Sequence, residues 1–221
     1  MKSRAAVLFE APGDFEITTI ELDAPRQDEL VVEMVASGVC HSDDHIRCGD
    51  LGVNLPMAGG HEGAGVVIEV GPNTRGFEVG DHVVLAWIPS CGRCRWCASG
   101  QQNLCDLGAQ TLAGARADDP ASYRLRLDGE DLAQTAGVST FSERTLVSTS
   151  SAVRIPKSVP LDVACLTACS VGTGWGSAVK VGDVRPGQVV VVMGVGGVGI
   201  HAVQGAAMKV WRGEGAFLDF L

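Results

Sequence analysis

Basic residues are in deficit. The 17 Lys and Arg stand against 26 Asp and Glu, a formal net charge of −9. A nucleic-acid binder needs a basic face, and the balance argues against that class. An anionic cofactor held locally by backbone amides stays open. No basic-then-apolar leader opens the chain, since Met1, Lys2, Ser3 and Arg4 run straight into strand-like sequence. A soluble, cytoplasmic protein is expected. Long apolar runs are also missing. The longest, residues 189–195, is too short to span a bilayer. Charge is sparse at 19% and aromatics at 5%, while apolar residues reach 46%, which supplies a core and excludes global disorder. No internal repeat is found.

What is plentiful is glycine, at 29 residues, and cysteine, at eight. The glycines punctuate short β runs. Residues 31–36, 63–70 and 82–85 read as strands, the second stopped by Gly71, Pro72 and Asn73. Residues 1 to about 150 therefore predict a barrel or sandwich. Residues 108–137 are polar and read as a long surface loop, after which 140–147 returns to strand character. Beyond Pro156 the pattern changes. Residues 160–168 have helical spacing, with Leu161, Ala164, Cys165 and Ala168 on one face. Residues 189–193 read as a buried parallel strand, followed by a glycine turn and a small-residue helix over 200–208. With 221 residues, the chain holds one large domain or one domain plus part of another.

Eight cysteines in a cytoplasmic protein point to metal ligands or buried thiols more than to disulfides. Cys91, Cys94, Cys97 and Cys105 follow C-x2-C-x2-C-x7-C. Four thiolates in one loop can close a tetrahedral zinc shell, and a closed shell is structural. It would fold a loop that has little core of its own. An iron–sulfur cluster is the chemical rival, and the seven-residue gap favours zinc. Gly194, Gly196 and Gly199 form G-x-G-x-x-G between an apolar run and a helix. The first permits a tight turn, the second lets backbone approach a pyrophosphate, and the third lets helix and strand pack closely. The helix N-terminus would face the phosphates.

Gly-Val-Cys-His-Ser-Asp at 38–43 and Gly-His-Glu-Gly at 60–63 each offer a metal ligand beside carboxylates. Each alone is weak, because a lone His or Cys is more often structural. Taken with the four-cysteine loop and the glycine turn, their order and spacing resemble the zinc-dependent medium-chain alcohol dehydrogenases over residues 1–208. Residues 108–137 and the run Gly-Val-Ser-Thr-Phe-Ser-Glu at 137–143 look like the branch of the liver-type and glutathione-dependent formaldehyde dehydrogenases. A bacterial subgroup with tightly held NAD is similar.

The resemblance implies a mostly β, GroES-like zinc-binding catalytic domain at residues 1–155 and an incomplete dinucleotide-binding Rossmann domain at 156–221. It implies two Zn2+ per chain, with Cys40, His61 and Cys169 as protein ligands of a catalytic zinc whose fourth position takes water or substrate oxygen. Ser42 would take the alcohol proton and His45 pass it to solvent. Asp43 would orient His61, and Glu62 would modulate the metal. His41 would approach the pyrophosphate of NAD, and Thr173 the nicotinamide. The expected activity is oxidation of an alcohol by hydride transfer to NAD. S-(hydroxymethyl)glutathione oxidation is the enzymatic alternative, and a catalytically dead zinc-binding module the alternative of another class. The partner is a small-molecule alcohol or aldehyde, with neither nucleic acid nor membrane; the full-length family forms homo-oligomers.

Three further residues are read as structural: Cys165 as helix core, His82 as satisfied locally beside Asp81, and His201 as packing or surface. The pattern fails after Met208. The family would continue into a second strand ending in an acidic ribose ligand, whereas Gly213 and Gly215 interrupt the sequence here. Asp219 is left unassigned. A chain cut short in its cofactor domain, with weak or absent NAD binding, is expected.

Overall fold

In β3, Glu29–Gly38, consecutive apolar residues serve two different cores. Side chains alternate faces along a strand, so Val31 joins Val7, Ile20, Leu22, Leu125 and Leu132 on one side. Leu30 and Val32 join Val67, Val83, Leu85 and Val147 on the other. A strand apolar on both faces must lie between two layers, and β3 does. The computed structural model describes residues 1–210.

Around β3 the chain builds a barrel and a sheet. The other strands are β1 (Lys2–Leu8), β2 (Phe15–Leu22), β4 (Met57–Ala58), β5 (Glu62–Val70), β6 (His82–Leu85), β7 (Leu125–Leu127), β8 (Glu130–Gln134), β9 (Arg144–Ser148) and β10 (Ala152–Ile155). A closed barrel runs β1-β2-β7-β8-β4, and a five-stranded sheet runs β10-β6-β5-β3-β9. Closure removes exposed strand edges from the barrel. The expected all-β architecture is present. The expected loop over 108–137, however, contains β7 and β8. Leu125 of β7 and Leu132, Ala133 and Gln134 of β8 are buried while Glu130 and Asp131 are exposed, so polarity in the sequence reflected the wet part of two short strands, not an absence of strand.

Three helical segments matter for position. Helix α1, His41–Arg47, opens directly after β3. Helix α2, Arg95–Ala98, lies within the cysteine loop. Helix α3, Leu161–Ala164, and the 3-10 turn Cys165–Ala168 lay Leu161, Ala164 and Cys165 on Ala64 and Val84. That is the apolar face expected for residues 160–168.

By contact density the chain divides into two units, Met1–Ala168 and residues 169 onward. In the second, α4 (Ser170–Gly176) packs on α5 (Gly197–Val210). The approach is close because Gly174 has no side chain: a Cβ there would lie 2.1 Å from the Val198 carbonyl oxygen. Residues 189–193 are not a buried strand, contrary to expectation. Val189 is 93% and Met193 95% exposed. A parallel strand is buried by neighbours that pair with it and by helices on both faces, and none pairs with this segment among the described residues. The unassigned Asp219, with Gly213 and Gly215, lies outside them. No described helix is long and apolar enough to cross a membrane.

Candidate functional site

The first group of candidate metal ligands is assembled by strand register. β3 and β5 run antiparallel with Gly38 opposite Glu62. Cys40 stands two residues beyond that pair on one strand, and His61 one residue before it on the other. Residues far apart in sequence therefore leave the sheet at one end. Gly63 of β5 also pairs with Leu85 of β6, which brings Trp87 to the same end. The Trp87 ring meets His61 edge-on, with centroids 6.5 Å apart. Ligand atoms of Cys40, His61 and Glu62 lie within 4.8 Å of one another. His61 and Glu62 are buried, and Cys40 is half-buried.

Asp43 organises this cluster. It sits buried in the first turn of α1, and its Oδ2 accepts the Cys40 N–H at 3.0 Å. Its Oδ1 lies 2.9 Å from His61 Nδ1. A carboxylate there fixes the imidazole proton on Nδ1 and leaves the Nε2 lone pair for a metal. Burial pushes the Cys40 thiol up, but the Ser42 N–H and hydroxyl and the adjacent His61 outweigh it, so the thiol ends below its ordinary value. A sulfur, an imidazole nitrogen and a carboxylate make a donor set that zinc accepts. Gly38 makes room for this arrangement, since a Cβ there would come 2.0 Å from Glu62 Oε2.

Of the remaining predicted residues, His41, Ser42 and His45 belong to α1, and Cys169, Thr173 and the three glycines to the second unit. The Ser42 hydroxyl is 3.7 Å from Cys40 Sγ. His41 and His45 meet edge-to-face, one helical turn apart, with centroids separated by 4.6 Å. His45 Nδ1 pairs with Asp50 Oδ2 at 2.8 Å. Cys169 is the first residue of the second unit, and its Sγ lies 3.9 Å from Thr173 Oγ1 of α4. It follows directly on Ala168, whose turn rests on β5 and β6. Gly194 has φ +90, as a tight turn requires. A Cβ on Gly199 would come 1.9 Å from the Gly194 carbonyl oxygen, while Gly196 faces open space.

The second group is local. The sulfurs of Cys91, Cys94, Cys97 and Cys105 all lie within 4.8 Å of one another. Sulfurs about 2.3 Å from one zinc sit about 3.8 Å apart at the corners of a tetrahedron. The Cys91–Cys97 separation is 3.9 Å. A multi-iron cluster shares its four thiolates among several irons, and those on different irons stand wider apart, so the spacing fits a single ion. Backbone amides turn inward on the sulfurs. Cys94 N–H donates to Cys91 Sγ at 3.3 Å, Cys97 N–H to Cys94 Sγ at 3.5 Å, and Cys91 N–H to Cys105 Sγ at 3.4 Å. The N–H groups of Cys97 and Asp106 lower the Cys94 thiol to about 6. Burial instead pushes Cys105 up to about 11, a thiol that a cation would have to deprotonate.

Cys165 is buried as expected, and Cys48 is exposed. His201 bonds Gln204 along α5. His82 departs from expectation: its Nδ1 is buried without a hydrogen-bond partner. The neighbouring Asp81 carboxylate is directed to the Glu78 N–H and to Arg154 instead. Two features escaped the sequence reading. One is Trp87, whose only signal was an aromatic residue four positions before the cysteine loop. The other is a buried ion cluster. Glu29 of β3, 1% exposed, receives Arg124 Nε at 2.9 Å and Nη2 at 3.0 Å, and Arg116 Nη1 as well.

A two-core β framework around a β3–β5 seam, with one dispersed and one local metal donor set, defines a metal-binding GroES-like domain. The profile of the alcohol dehydrogenase GroES-like domain matches residues 26–157, and the chain belongs to that family, in its zinc-dependent medium-chain branch. It is 48% identical to the NDMA-dependent alcohol dehydrogenase of Amycolatopsis methanolica over 207 residues, covering 94% of this chain and 55% of that one. It is 39% identical to the S-(hydroxymethyl)glutathione dehydrogenase of Synechocystis over 207 residues, covering 93% and 56%. An alcohol dehydrogenase zinc-binding domain protein from Burkholderia ambifaria superposes with TM-score 0.86 at 37% identity, covering 95% of this chain and 56% of its own. The chain thus spans about half the length of these relatives.

Proposed function

We propose that this chain carries the metal-binding half of a zinc-dependent alcohol dehydrogenase, which oxidises an alcohol to an aldehyde or ketone with hydride passing to NAD. The observation that carries the reading is the convergence of Cys40, His61 and Glu62 at one end of the β3–β5 pair, with Asp43 holding His61 in the metal-binding tautomer. Cys40, His61 and Cys169 are proposed as the protein ligands of a catalytic zinc, and the four-cysteine loop as the holder of a structural one. Cys169 is supported by its place in the chain, immediately after the turn that rests on β5 and β6. Residues 1–155 are assigned to the catalytic domain, and residues 156–221, with the glycine turn and α5, to an incomplete dinucleotide-binding domain.

Bound zinc supplies Lewis acidity at the alcohol oxygen, and NAD the hydride acceptor. The chain's own residues then handle the proton. The Ser42 hydroxyl, beside Cys40, takes it from the alcohol. His45, one turn along α1 and 45% exposed at its side chain, passes it to water, with Asp50 holding the ring. Asp43 keeps His61 oriented, and Glu62 adds negative charge beside the ligands. His41 is assigned to the cofactor pyrophosphate, Thr173 to the nicotinamide, and Gly194, Gly196 and Gly199 to the phosphate-facing turn.

Elemental analysis of purified full chain tests the metal reading: about two zinc ions per chain are expected, and a value near zero sinks it. Nicotinamide absorbance then tests the chemistry. A rise with ethanol supports simple alcohol oxidation. A rise only with formaldehyde plus glutathione supports the S-(hydroxymethyl)glutathione reading, which the Synechocystis relative favours. The exposure of Val189, Val191 and Met193 favours a third outcome, a zinc-binding module without turnover. That outcome would give intact zinc and no rise with any alcohol.

A further inference from the structure

The four-cysteine loop is not an isolated clip. Cys91, Cys94 and Cys97 lie within one tight turn around α2. Cys105 stands eight residues further on and leads into the 3-10 turn Asp106–Gln110. The chain beyond it, with buried Thr111 and Ala115, roofs a small, partly open cavity of about 30 Å³ whose other walls include Glu29, Gln134 and Leu146. A roof built of small and polar residues has little apolar surface with which to hold itself down. It is held by charge.

Arg116 carries that charge. Its Nε and Nη2 fork onto both carboxylate oxygens of Asp118, at 2.8 and 2.7 Å. Its Nη1 reaches inward to Glu29, which Arg124 clamps from the barrel side. Arg124 Nη1 is in turn held by Asp23 at 2.6 Å. Forked guanidinium–carboxylate bonds fix geometry as well as energy, and the Arg116 side chain is only 15% exposed.

We propose that Arg116 is a positioning residue of the four-cysteine metal centre: by bridging buried Glu29 of β3 to Asp118 it holds the segment leaving Cys105 where that thiolate can join the other three. The inference rests on the reading that this loop binds zinc. Without the bridge, the roof must be ordered at the moment of metal binding, and affinity falls by that ordering cost. By linkage, metal in the loop strengthens the same bridge.

The test uses the full chain carrying Cys40→Ser, which disables the dispersed site, with zinc affinity measured by competition against a chromogenic chelator. Arg116→Met keeps the aliphatic stem and removes the fork. It is expected to weaken zinc binding about tenfold, the low end of what outlying support residues contribute. Arg154→Met, at an exposed side chain that pairs with Asp81, is expected to leave affinity unchanged. Should Arg116→Met not fold, Asp118→Asn breaks the outer half of the bridge at a more exposed position and is expected to weaken zinc severalfold. A folded Arg116→Met or Asp118→Asn protein with parental zinc affinity overturns the proposal, and so does a loss of urea stability with unchanged affinity. If the Cys40→Ser parent holds no zinc in the loop, the metal reading itself fails, which is a separate and recognisable result.

Discussion

Replacing Glu29 by Gln isolates the contribution of the buried ion cluster. Glu29 and Arg124 are almost fully buried, at 1% and 2% exposure. Gln keeps the volume, and its carbonyl can still accept from Arg124 and from the Arg26 N–H, which donates to Glu29 at 2.6 Å. What goes is the negative charge between two guanidinium groups, and with it the Oε1 acceptor of Arg124 Nε and Arg116 Nη1, whose place an amide nitrogen takes. Removing one partner of a buried pair costs roughly 3–5 kcal/mol, because the other charge stays buried without compensation. Asp23 remains on Arg124 and offsets part of this, so the lower end, about 3 kcal/mol, is expected. For a chain of this size that corresponds to a fall in Tm of roughly 6–12 °C.

The pH dependence gives an independent check. Burial alone would raise the Glu29 carboxyl; the hydrogen bonds from Arg124 and Arg26, with the charges of Arg116 and Arg124, outweigh it and hold it below the ordinary value of 4.5. A carboxylate depressed in the folded state adds stability that is full above its unfolded pKa. The contribution is lost as pH falls through the lower folded value. Urea denaturation of zinc-loaded parent and variant should therefore differ fully at neutral pH, and the gap should close as the solution is acidified below about pH 4.3. A neutral-pH difference under about 1 kcal/mol would show that the cluster behaves like a surface ion pair. A gap that does not change on acidification would show that the charge is not its source.

Other perturbations probe the metal centres. Gly38→Ala would set a methyl against the Glu62 carboxylate; overpacking of roughly 1–3 kcal/mol and loss of metal from the dispersed site alone are expected, read as a fall of one zinc per chain. Asp43→Asn removes the carboxylate that fixes the His61 tautomer, and zinc affinity at that site should drop roughly 10–100-fold in a chelator competition. Cys94→Ser opens the four-thiolate shell; one zinc should be lost and the melting curve should shift down, since metal binding there contributes to folding. If the variant keeps its full zinc, Cys94 is not a ligand.

The legibility of each feature in the sequence tracked the distance over which it is specified. The four-cysteine centre is written within fifteen positions of chain, so its spacing alone announced a metal site, with zinc favoured over an iron–sulfur cluster, and the sulfurs do converge. The dispersed group is different. Cys40 and His61 meet only because Gly38 pairs with Glu62 across two strands, and no local pattern encodes that register; the resemblance to a family supplied it. β7 and β8 were missed for a related reason, because a short half-wet strand such as Leu-Arg-Leu reads as loop until its buried face has a neighbour. The failure at residues 189–193 is the converse. An apolar run predicts burial, but burial is a property of what surrounds it, and Val189 and Met193 stand exposed.

Glu29, Arg116 and Arg124 show how such misreadings bear on function. In sequence they are three charges, two of them inside a polar stretch that looks like surface. In space they are the interior anchor of the segment that delivers the fourth thiolate. A loop with little apolar surface cannot be located by hydrophobic burial, so its position must come from metal at one end and from buried charge at the other. Each of these is weak without the other: thiolates held on a wandering segment bind metal poorly, and a buried arginine bridge is costly unless fully paired. The two are therefore expected to form together, which makes zinc affinity, not activity, the quantity through which a substitution at Arg116 would first be seen.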